Sequence, residues 1–211
     1  MERILVSGFE PFGGDRVNPS WLVAQALQGR SIGGARVVAM RLPCVFGAAV
    51  EAIDAAQRLY RPRIVLALGL AAGRAELCCE RVAINVDDAR IADNAGRRRI
   101  DEPVVAGGPA AYFSTLPIKA MVAAMADAGL PAAVSQTAGT FVCNHVFYAL
   151  MHGLRRRRAV RGGFMHVPLL PAQAAGRPAL ALERQIEGVA LALRAAQDHV
   201  RDLQQTGGAI A

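Results

Sequence analysis

Short apolar runs alternate along this chain with longer segments of helical periodicity. The apolar runs predict buried strands at 3–7, 35–42, 64–68, 132–135 and 163–168. Apolar residues that recur at helical spacing predict helices at 19–28, 46–60, 117–128, 141–154 and 179–203. Apolar strands that are separated by helices are typical of a parallel or mixed sheet covered on both faces. The pattern therefore predicts an α/β fold.

The ends of several elements are marked by particular residues. Asn18 and Pro19 suit the N-cap and first position of a helix, and Gly29 suits its end. The segment 91–108 is rich in proline, glycine and arginine and predicts a long loop, which in a compact domain is usually functional. Because we find neither an internal repeat nor a linker, residues 1–211 are predicted to form a single domain with a frayed tail from about 205 to 211.

Composition limits the class of protein. A hydrophobic fraction of 53% with 19% charged residues excludes disorder and allows a sizeable core. No apolar run is long enough to span a bilayer and no signal peptide is evident, so we expect a cytoplasmic protein without a membrane partner. The four cysteines (Cys44, Cys78, Cys79 and Cys143) have neither zinc-site spacing nor a disulfide pattern, and reduced thiols are expected.

The net charge of +7 raises the alternative of a nucleic-acid partner. The arginine runs at 97–99 and 155–158 are short, lack interleaved aromatic residues, and lie where loops or a helix end are predicted. Lys119 is the only lysine, and this strong preference for arginine over lysine is more typical of a GC-rich genome than of a nucleic-acid-binding surface. We therefore expect no nucleic-acid partner.

Cys143 is the leading candidate for chemistry because it falls in the first turn of a predicted helix. A thiol attacks as the thiolate, and the peptide dipoles and free N–H groups of a helix start favour negative charge there. The same N–H groups could hold the oxyanion of a tetrahedral intermediate. The alternative is that Cys143 is a small, inert core residue.

The first strand leads into the glycine-rich loop 8–14, at the sheet edge where ligands of α/β proteins bind. The loop has neither the spacing of a dinucleotide site nor that of a P-loop, so no nucleotide cofactor is expected. Phe9 and Phe12 either pack the loop onto the core or form an apolar wall for a substrate.

Among the four histidines, His166 is the best partner for Cys143. His166 ends an apolar strand, and strand ends in a parallel sheet gather at one edge with the helix starts, which would allow a thiolate–imidazolium couple near neutral pH. His145 lies two residues from Cys143 on the same helix and does not face it, whereas His152 and His199 look solvated. Glu80 could orient His166, although the segment 80–90 could equally be a solvated edge with Asp87, Asp88 and Arg90.

Several long motifs in this order resemble the type I pyroglutamyl peptidases, cysteine peptidases that remove an N-terminal pyroglutamate. The motifs lie at 8–14, 18–20, 80–85, 88–91, 93–94, 108–112, 115–117, 135–144, 166–168 and 170–171. The match covers nearly the whole chain. It implies a three-layer α/β/α sandwich with an open, twisted, mostly parallel sheet, no metal or cofactor, and a homo-dimer or tetramer that acts on N-terminally pyroglutamylated peptides.

The resemblance also implies roles for individual residues. Cys143 would attack the pyroglutamyl carbonyl, His166 would shuttle the proton, and Glu80 would orient His166. Six further residues would contribute to substrate binding. Phe9 and Phe12 would sandwich the lactam ring, and Phe141 and Val142 would add an apolar wall and backbone groups for the lactam amide. Asn18 would support the loop, and Arg90 would lie near the oxyanion.

Two positions depart from the family pattern. Leu70 stands where many members carry glutamine, which removes one polar contact with the substrate, and Cys78 replaces a serine or threonine. The proton-transfer groups are all present, so we expect a peptidase. Leu70 is the one hint of the alternative, a non-catalytic binding protein on the same scaffold.

Overall fold

The computed structural model describes residues 1–208, and residues 209–211 lie outside the described chain. The strands are β1 (Arg3–Phe9), β2 (Ser31–Ile32), β3 (Ala35–Leu42), β4 (Ile64–Leu70), β5 (Leu77–Glu80), β6 (Val82–Ile84), β7 (Ala111–Phe113), β8 (Ala132–Ser135) and β9 (Arg161–Val167). The helices are α1 (Pro19–Leu27), α2 (Ala48–Tyr60), α3 (Ile118–Asp127), α4 (Val142–Leu154) and α5 (Leu182–Asp198), with a 3-10 turn at Pro171–Gln173. Every predicted strand and helix is present, most within three residues of its predicted bounds.

Seven strands form one sheet in the order β2-β3-β1-β4-β9-β5-β8. The strands β3, β1, β4 and β9 are parallel, whereas β5 pairs antiparallel with β9, and β8 runs parallel to β5. β2 pairs antiparallel with β3, and β6 and β7 form a separate antiparallel ribbon that the hydrophobic pattern did not predict. The sheet is mostly parallel, as predicted, with a reversed edge formed by β5 and β8.

Helices cover both faces of the sheet because side chains along each strand alternate between the faces. Ile4 and Val6 pack with α1, α3 and α5, whereas Leu5 and Phe9 pack with α2 and α4. Ile4, Leu5 and Val6 are completely buried, and each side chain of this kind contributes about 1.5–3 kcal/mol through burial of apolar surface. The predicted three-layer α/β/α sandwich is confirmed.

The direction of β8 corrects one step of the sequence argument. Because β8 runs against the four central strands, its last residue, Ser135, does not lie at the carboxyl edge of those strands. Residues 136–141 lead from Ser135 to the start of α4, which lies beside Gly69 near the end of β4. A connecting loop, rather than a shared strand direction, therefore brings α4 to that edge.

The helix ends follow from local hydrogen bonds. Asn18 is the N-cap of α1, and its side chain accepts a hydrogen bond from the N–H of Ser20, as the sequence predicted. Helix α5 begins three residues later than predicted because Ala179 forms a bridge with Leu169, whose carbonyl also accepts from the Leu180 N–H. Within residues 1–208, no helix combines the length and the apolar character that crossing a membrane requires.

The long loop predicted at 91–108 contains no regular strand or helix, and one carboxylate anchors its first part. Asp93 Oδ1 accepts hydrogen bonds from the N–H groups of Ala95 and Arg97 at 2.9 Å each, and Oδ2 accepts from the Phe46 N–H at 3.0 Å. At the other end, Asn85 Oδ1 accepts from the Val105 N–H at 2.9 Å. Hydrogen bonds therefore tie both ends of the loop to other parts of the same chain.

The predicted frayed tail at 205–211 is hydrogen-bonded where the structure describes it. The carbonyl of Gln205 accepts from Lys119 Nζ at 2.5 Å, and the carbonyl of Gly207 accepts from Arg81 Nη2 at 2.8 Å. Both donors come from distant parts of the chain, and fraying of the tail stays a prediction. Its last three residues, 209–211, lie outside the described chain.

Candidate active site

A buried histidine and a buried carboxylate form the centre of the candidate site. His166 lies next to last in β9, and Glu80 ends β5, the antiparallel neighbour of β9. His166 Nδ1 lies 2.7 Å from Glu80 Oε1. The Glu80 side chain is 0% exposed and the His166 side chain 6%. Since Nδ1 is engaged by the carboxylate, Nε2 is left to exchange a proton with another group.

Cys143 is the second residue of α4 and lies on the same face of the sheet as His166. A Cβ atom added to Gly69 would lie 2.8 Å from Cys143 Sγ and 2.8 Å from the ring of Phe164. Gly69 is in register with His166 on the adjacent parallel strand, and paired residues point to the same face. The thiol therefore packs over β4, beside the strand that carries His166.

The electrostatic surroundings favour the protonated form of this thiol. Burial raises the pKa of Cys143 above its ordinary value, the Cys44 thiol and the Glu80 carboxylate raise the pKa further, and the Arg74 guanidinium lowers it. The start of α4 opposes this shift, because a helix N-terminus stabilises a partly buried negative charge by up to about 2 kcal/mol. Burial and the nearby negative groups therefore act against the helix start and Arg74, and a base such as His166 would assist removal of the proton from Cys143.

Arg74 is a site residue that the sequence analysis missed. Its Nη1 donates to Glu80 Oε1 at 2.8 Å, so that one carboxylate oxygen contacts both His166 and Arg74. The sequence placed Arg74 only in the turn after β4, where an arginine usually faces solvent. No local pattern indicated that its side chain would reach Glu80.

The aromatic residues are arranged differently from the prediction. The rings of Phe12 and Phe141, both partly buried, lie 6.1 Å apart, and Phe46 meets Phe141 edge-on at 5.5 Å. Phe9, predicted to sandwich a ring together with Phe12, is 2% exposed and packs on Phe164 at 6.5 Å. The pairing of Phe9 with Phe12 is corrected because β1 continues to Phe9 and buries its ring in the core layer under α2 and α4. Phe12 instead contacts Phe141, two residues before Cys143, with the two rings tilted by 42°.

Hydrogen bonds fix the loops around these rings. Asn18 Nδ2 donates to the Glu10 carbonyl at 3.0 Å, and Asn18 Oδ1 accepts from the Ser20 hydroxyl at 2.8 Å. Glu10 Oε1 in turn accepts from the Cys44 N–H at 3.0 Å and from Asn94 Nδ2 at 2.8 Å. The Asn18 amide is used inside the protein, so its position suits support of the loop rather than direct contact with a substrate.

Val142 and Arg90 were also predicted to contact substrate. The Val142 side chain is completely buried, but its N–H lies at the very start of α4, before the first helical bond from the His145 N–H to the Phe141 carbonyl. Arg90 is exposed, and among residues 1–208 its side chain has no ion pair or hydrogen bond. A role of Arg90 near the oxyanion stays a prediction.

A second buried network lies next to this site. His145 Nδ1 is 2.8 Å from Asp87 Oδ2, which also accepts from Arg99 Nη1 at 2.8 Å, while His145 Nε2 accepts from the Gly47 N–H at 3.1 Å. Because Nε2 accepts, the ring proton is on Nδ1 and is donated to Asp87. The alternative of a solvated edge is therefore wrong for Glu80 and Asp87, both 0% exposed, and holds only for Asp88 and Arg90.

His152, expected to be solvated, is instead part of an aromatic cluster. Its Nδ1 lies 2.9 Å from the Tyr112 hydroxyl, and its ring stacks on Tyr148 with centroids 6.2 Å apart. Burial lowers the pKa of His152, and the nearby Arg155 and Arg156 lower it further. This cluster joins the end of α4 to the β6–β7 ribbon and is separate from the Cys143 site.

Within residues 1–208, no group of three or more histidine, cysteine, aspartate or glutamate side chains could hold a metal ion. The four cysteines are all free thiols. A thiol at a helix start, an imidazole on the same face and a buried carboxylate behind it are the groups that thiol hydrolases use. Fold and site together define an α/β thiol hydrolase.

Comparison with known proteins gives the family. Residues 2–199 match the family model described as pyroglutamyl peptidase. The chain is 58% identical over 213 residues to the pyrrolidone-carboxylate peptidase of Cupriavidus taiwanensis, and 55% identical over 212 residues to that of Erwinia tasmaniensis, covering 99% of both chains in each case.

Solved structures agree with this assignment. Pyroglutamyl peptidase I from Bacillus amyloliquefaciens has a TM-score of 0.96 and 42% identity, covering 98% of this chain and 100% of that chain. Pyrrolidone carboxyl peptidase from Thermococcus litoralis has a TM-score of 0.94 and 34% identity, with the same coverage of 98% and 100%. The chain belongs to the pyroglutamyl peptidase family, a family of cysteine peptidases.

Proposed function

We propose that this protein hydrolyses the amide bond after an N-terminal pyroglutamyl residue, through an acyl-enzyme on Cys143. The observation that carries the proposal is the His166–Glu80 pair, which leaves His166 Nε2 without a partner among residues 1–208 on the face that holds the Cys143 thiol. The substrate class is supported by the names of the relatives, which are pyroglutamyl or pyrrolidone-carboxylate peptidases.

The reaction begins with a protonated thiol. His166 Nε2 takes the proton from Cys143 as the sulfur attacks the pyroglutamyl carbonyl carbon, and Glu80 holds the imidazole in place and stabilises its positive charge. The amides at the start of α4, including those of Val142 and Cys143, would donate to the oxyanion or to the lactam oxygen. The C–N bond then breaks, the leaving amine takes the proton from His166, and a thioester remains.

Water completes the reaction. His166 takes a proton from a water molecule whose oxygen attacks the thioester carbon, the C–S bond breaks, and the sulfur regains its proton. The products are free 5-oxoproline and the shortened peptide. No step requires a cofactor or an oxidant, because acyl transfer to a thiol and then to water is balanced by these groups alone.

Recognition of the lactam depends on shape more than on charge. The ring is compact, flat and neutral, so aromatic surfaces and a few amide hydrogen bonds must select it. Phe12 and Phe141 would provide the aromatic surfaces, Phe9 packs on Phe164 in the core below, and Asn18 holds the loop that carries Phe12. Arg90 would approach the carbonyl oxygen when substrate is bound.

Location and assembly belong to the same proposal. A reducing cytoplasm would keep the Cys143 thiol active, in accord with the free state of all four cysteines.

We also propose that the protein works as one domain in a homo-dimer or tetramer. Sedimentation at several protein concentrations tests the assembly, and a monomer at all of them would contradict it.

The decisive test is the release of arylamine from a pyroglutamyl arylamide. Wild type should release arylamine and Cys143→Ala should not, whereas Cys79→Ala should keep most of the activity because Cys79 points into the other core layer. Thiol alkylation should abolish activity and a metal chelator should leave it unchanged. Equal release by wild type and Cys143→Ala, or binding of pyroglutamate without turnover by the wild type, would overturn the proposal.

A further inference from the structure

Arg74 connects the two parts of the candidate site. Its Nη1 donates to Glu80 Oε1 at 2.8 Å and to Ser135 Oγ at 3.1 Å, and its Nη2 donates to the Thr137 carbonyl at 3.0 Å. Glu80 orients His166, while Ser135 and Thr137 begin the loop that leads to Phe141 and Cys143. One guanidinium group thus touches both the carboxylate behind the histidine and the base of the loop before the thiol.

The buried carboxylate needs this cation. Glu80 is completely buried, and its Oε2 has no hydrogen-bond partner among residues 1–208. His166 alone would leave the negative charge without compensation whenever the imidazole is neutral. A buried charge that loses its partner is strongly unfavourable. With Arg74 in place, the carboxylate keeps a cationic partner even when His166 is neutral.

The shape of the guanidinium matters as well as its charge. Arginine presents several N–H donors in a fixed plane, and Arg74 uses two of its nitrogens for three acceptors on β5, β8 and the following loop. A lysine at this position would supply the charge, but its single ammonium group could not hold all three acceptors in the same geometry. A lysine substitution therefore separates two roles of Arg74: compensating the charge of Glu80, which lysine can do, and holding three acceptors in place, which it cannot.

The charge of Arg74 also acts on the thiol. Burial raises the pKa of Cys143, the Cys44 thiol and the Glu80 carboxylate add to that, and Arg74 is the cation that opposes them. Without Arg74, the negative charge of Glu80 would act on the sulfur unopposed. The proton transfer from Cys143 to His166 would then become more difficult.

We propose that Arg74 is a positioning residue of the hydrolytic site, which fixes Glu80 against His166 and the loop 135–141 against β5. The proposal rests on the proposed function, since it assigns Arg74 a role in that same reaction. None of the roles implied by the family resemblance involves Arg74. The side chain is 31% exposed, so solvent reaches the guanidinium although its acceptor Glu80 is buried.

The test compares Arg74→Gln and Arg74→Lys with Arg36→Gln, which removes an exposed arginine at the opposite end of the sheet. Arg74→Gln should lower kcat about 10²-fold with little change in KM, because misplaced groups lose about that factor. Arg74→Lys should lose less, because it keeps the charge. Arg36→Gln should match wild type. Active-site titration by alkylation of Cys143 corrects each rate for the folded fraction.

A second measurement does not depend on turnover. The rate of alkylation of Cys143 by iodoacetamide, followed by mass spectrometry, should shift to higher pH by about 1 unit in Arg74→Gln. In Arg74→Lys the profile should stay near that of wild type. A wild-type kcat and a wild-type alkylation profile in Arg74→Gln would overturn the proposal, as would a loss of thermal stability with an unchanged kcat per titrated site.

Chemical rescue tests the contact itself. Added methylguanidine should restore part of the kcat of Arg74→Ala and leave that of Arg36→Ala unchanged, and absence of rescue in a folded Arg74→Ala would count against the proposal. The two proposals fail in different ways. If wild type does not cleave the arylamide, the proposed function is lost, but the alkylation profiles still decide whether Arg74 acts on Cys143.

Discussion

The protein contains two buried networks of the same composition, and only one of them faces the Cys143 thiol. In the first, Glu80 Oε1 contacts His166 and Arg74 at 2.7 and 2.8 Å. In the second, Asp87 Oδ2 contacts His145 and Arg99 at 2.8 Å each. In both, the other carboxylate oxygen is buried without a partner among residues 1–208.

The difference between the networks lies at the far nitrogen of each imidazole. His145 Nε2 accepts from the Gly47 N–H at 3.1 Å, and its ring meets Phe46 edge-on at 5.3 Å. His166 Nε2 has no partner in the described chain, and its ring lies 4.9 Å from that of Phe164. A histidine whose second nitrogen accepts from a backbone N–H has no nitrogen left to take a proton from a nucleophile, whereas a free nitrogen on the face that holds a thiol can do so. A group of carboxylate, histidine and arginine therefore indicates chemistry only when that nitrogen is free.

The largest expected difference in kcat is between the variant that lacks the His166 imidazole and the variant that lacks the His145 imidazole. His166→Ala should lower kcat by about 10⁴-fold, because Cys143 loses the base that deprotonates it. His145→Ala should keep kcat per folded molecule within about tenfold of wild type but should cost about 1–3 kcal/mol of stability, since the Gly47 N–H loses its acceptor. Arylamide kinetics and urea unfolding measure both. Equal losses of kcat would remove the distinction between the networks.

Substitution of the two carboxylates should likewise lower kcat in one network and stability in the other, and the loss of kcat should be smaller than for His166→Ala. Glu80→Gln should lower kcat about 10²–10³-fold, because a neutral amide neither fixes the tautomer of His166 nor stabilises its charged form. Asp87→Asn should act mainly on the free energy of unfolding. Thermal melts combined with rates corrected by titration of Cys143 give both quantities. A Glu80→Gln enzyme with wild-type kcat would show that the carboxylate has no part in catalysis.

A smaller effect is expected at the register partner of His166. Gly69→Ala places a Cβ 2.8 Å from both Cys143 Sγ and the Phe164 ring, closer than real contacts allow. The backbone of Gly69 does not require a left-handed conformation, so the effect is purely steric. We expect kcat to fall about tenfold, with a stability loss of about 1–3 kcal/mol typical of overpacking. Gly153→Ala, where a Cβ meets no atom within 4 Å, is the matched control.

The smallest effect concerns the pH dependence of the thiol in the empty enzyme. Because the pKa of Cys143 is raised by burial, the Cys44 thiol and Glu80, its alkylation rate should still be rising steeply at pH 10, where the rate for an ordinary thiol is levelling off. Stopped reactions between pH 6 and 10 measure this rate. A rate that is constant from pH 6 to 8 would mean instead that a thiolate–imidazolium pair already exists in the empty site.

Much of the fold follows from local pattern. Strand and helix positions were predicted because apolar residues recur with the periods of the two structures, and the Asn18 cap fixed the start of α1. The reversed direction of β5 and β8 was not predicted, because it depends on pairing between residues far apart in the chain, such as Cys78 with His166. The β6–β7 ribbon has only three residues in each strand, too few for a clear alternation.

The site was predictable where chemistry is tied to position in an element. Cys143 at a helix start and His166 at a strand end were identified in that way. Phe9 was assigned to the loop 8–14 because the predicted strand ended at Ser7, whereas β1 continues to Phe9 and buries it in the core. Arg74 and Arg99 were missed because the partner of an arginine can be any distant carboxylate. Glu80 was predicted to orient His166, but spacing alone also allowed a solvated edge for Glu80 and Asp87, and both are completely buried.

The way Asp93 holds the loop at 91–108 has a consequence for resistance to proteolysis. A long surface segment that contains Arg97, Arg98 and Arg99 would ordinarily be cut by trypsin, since a protease must first draw the backbone into its cleft. Here the Arg97 N–H is bound to Asp93 Oδ1, Arg98 Nε donates to the Ala89 carbonyl at 2.8 Å, and Arg99 is paired with the buried Asp87. Cleavage after these arginines therefore requires the loop to detach first, and the folded enzyme should survive trypsin there despite its basic sequence.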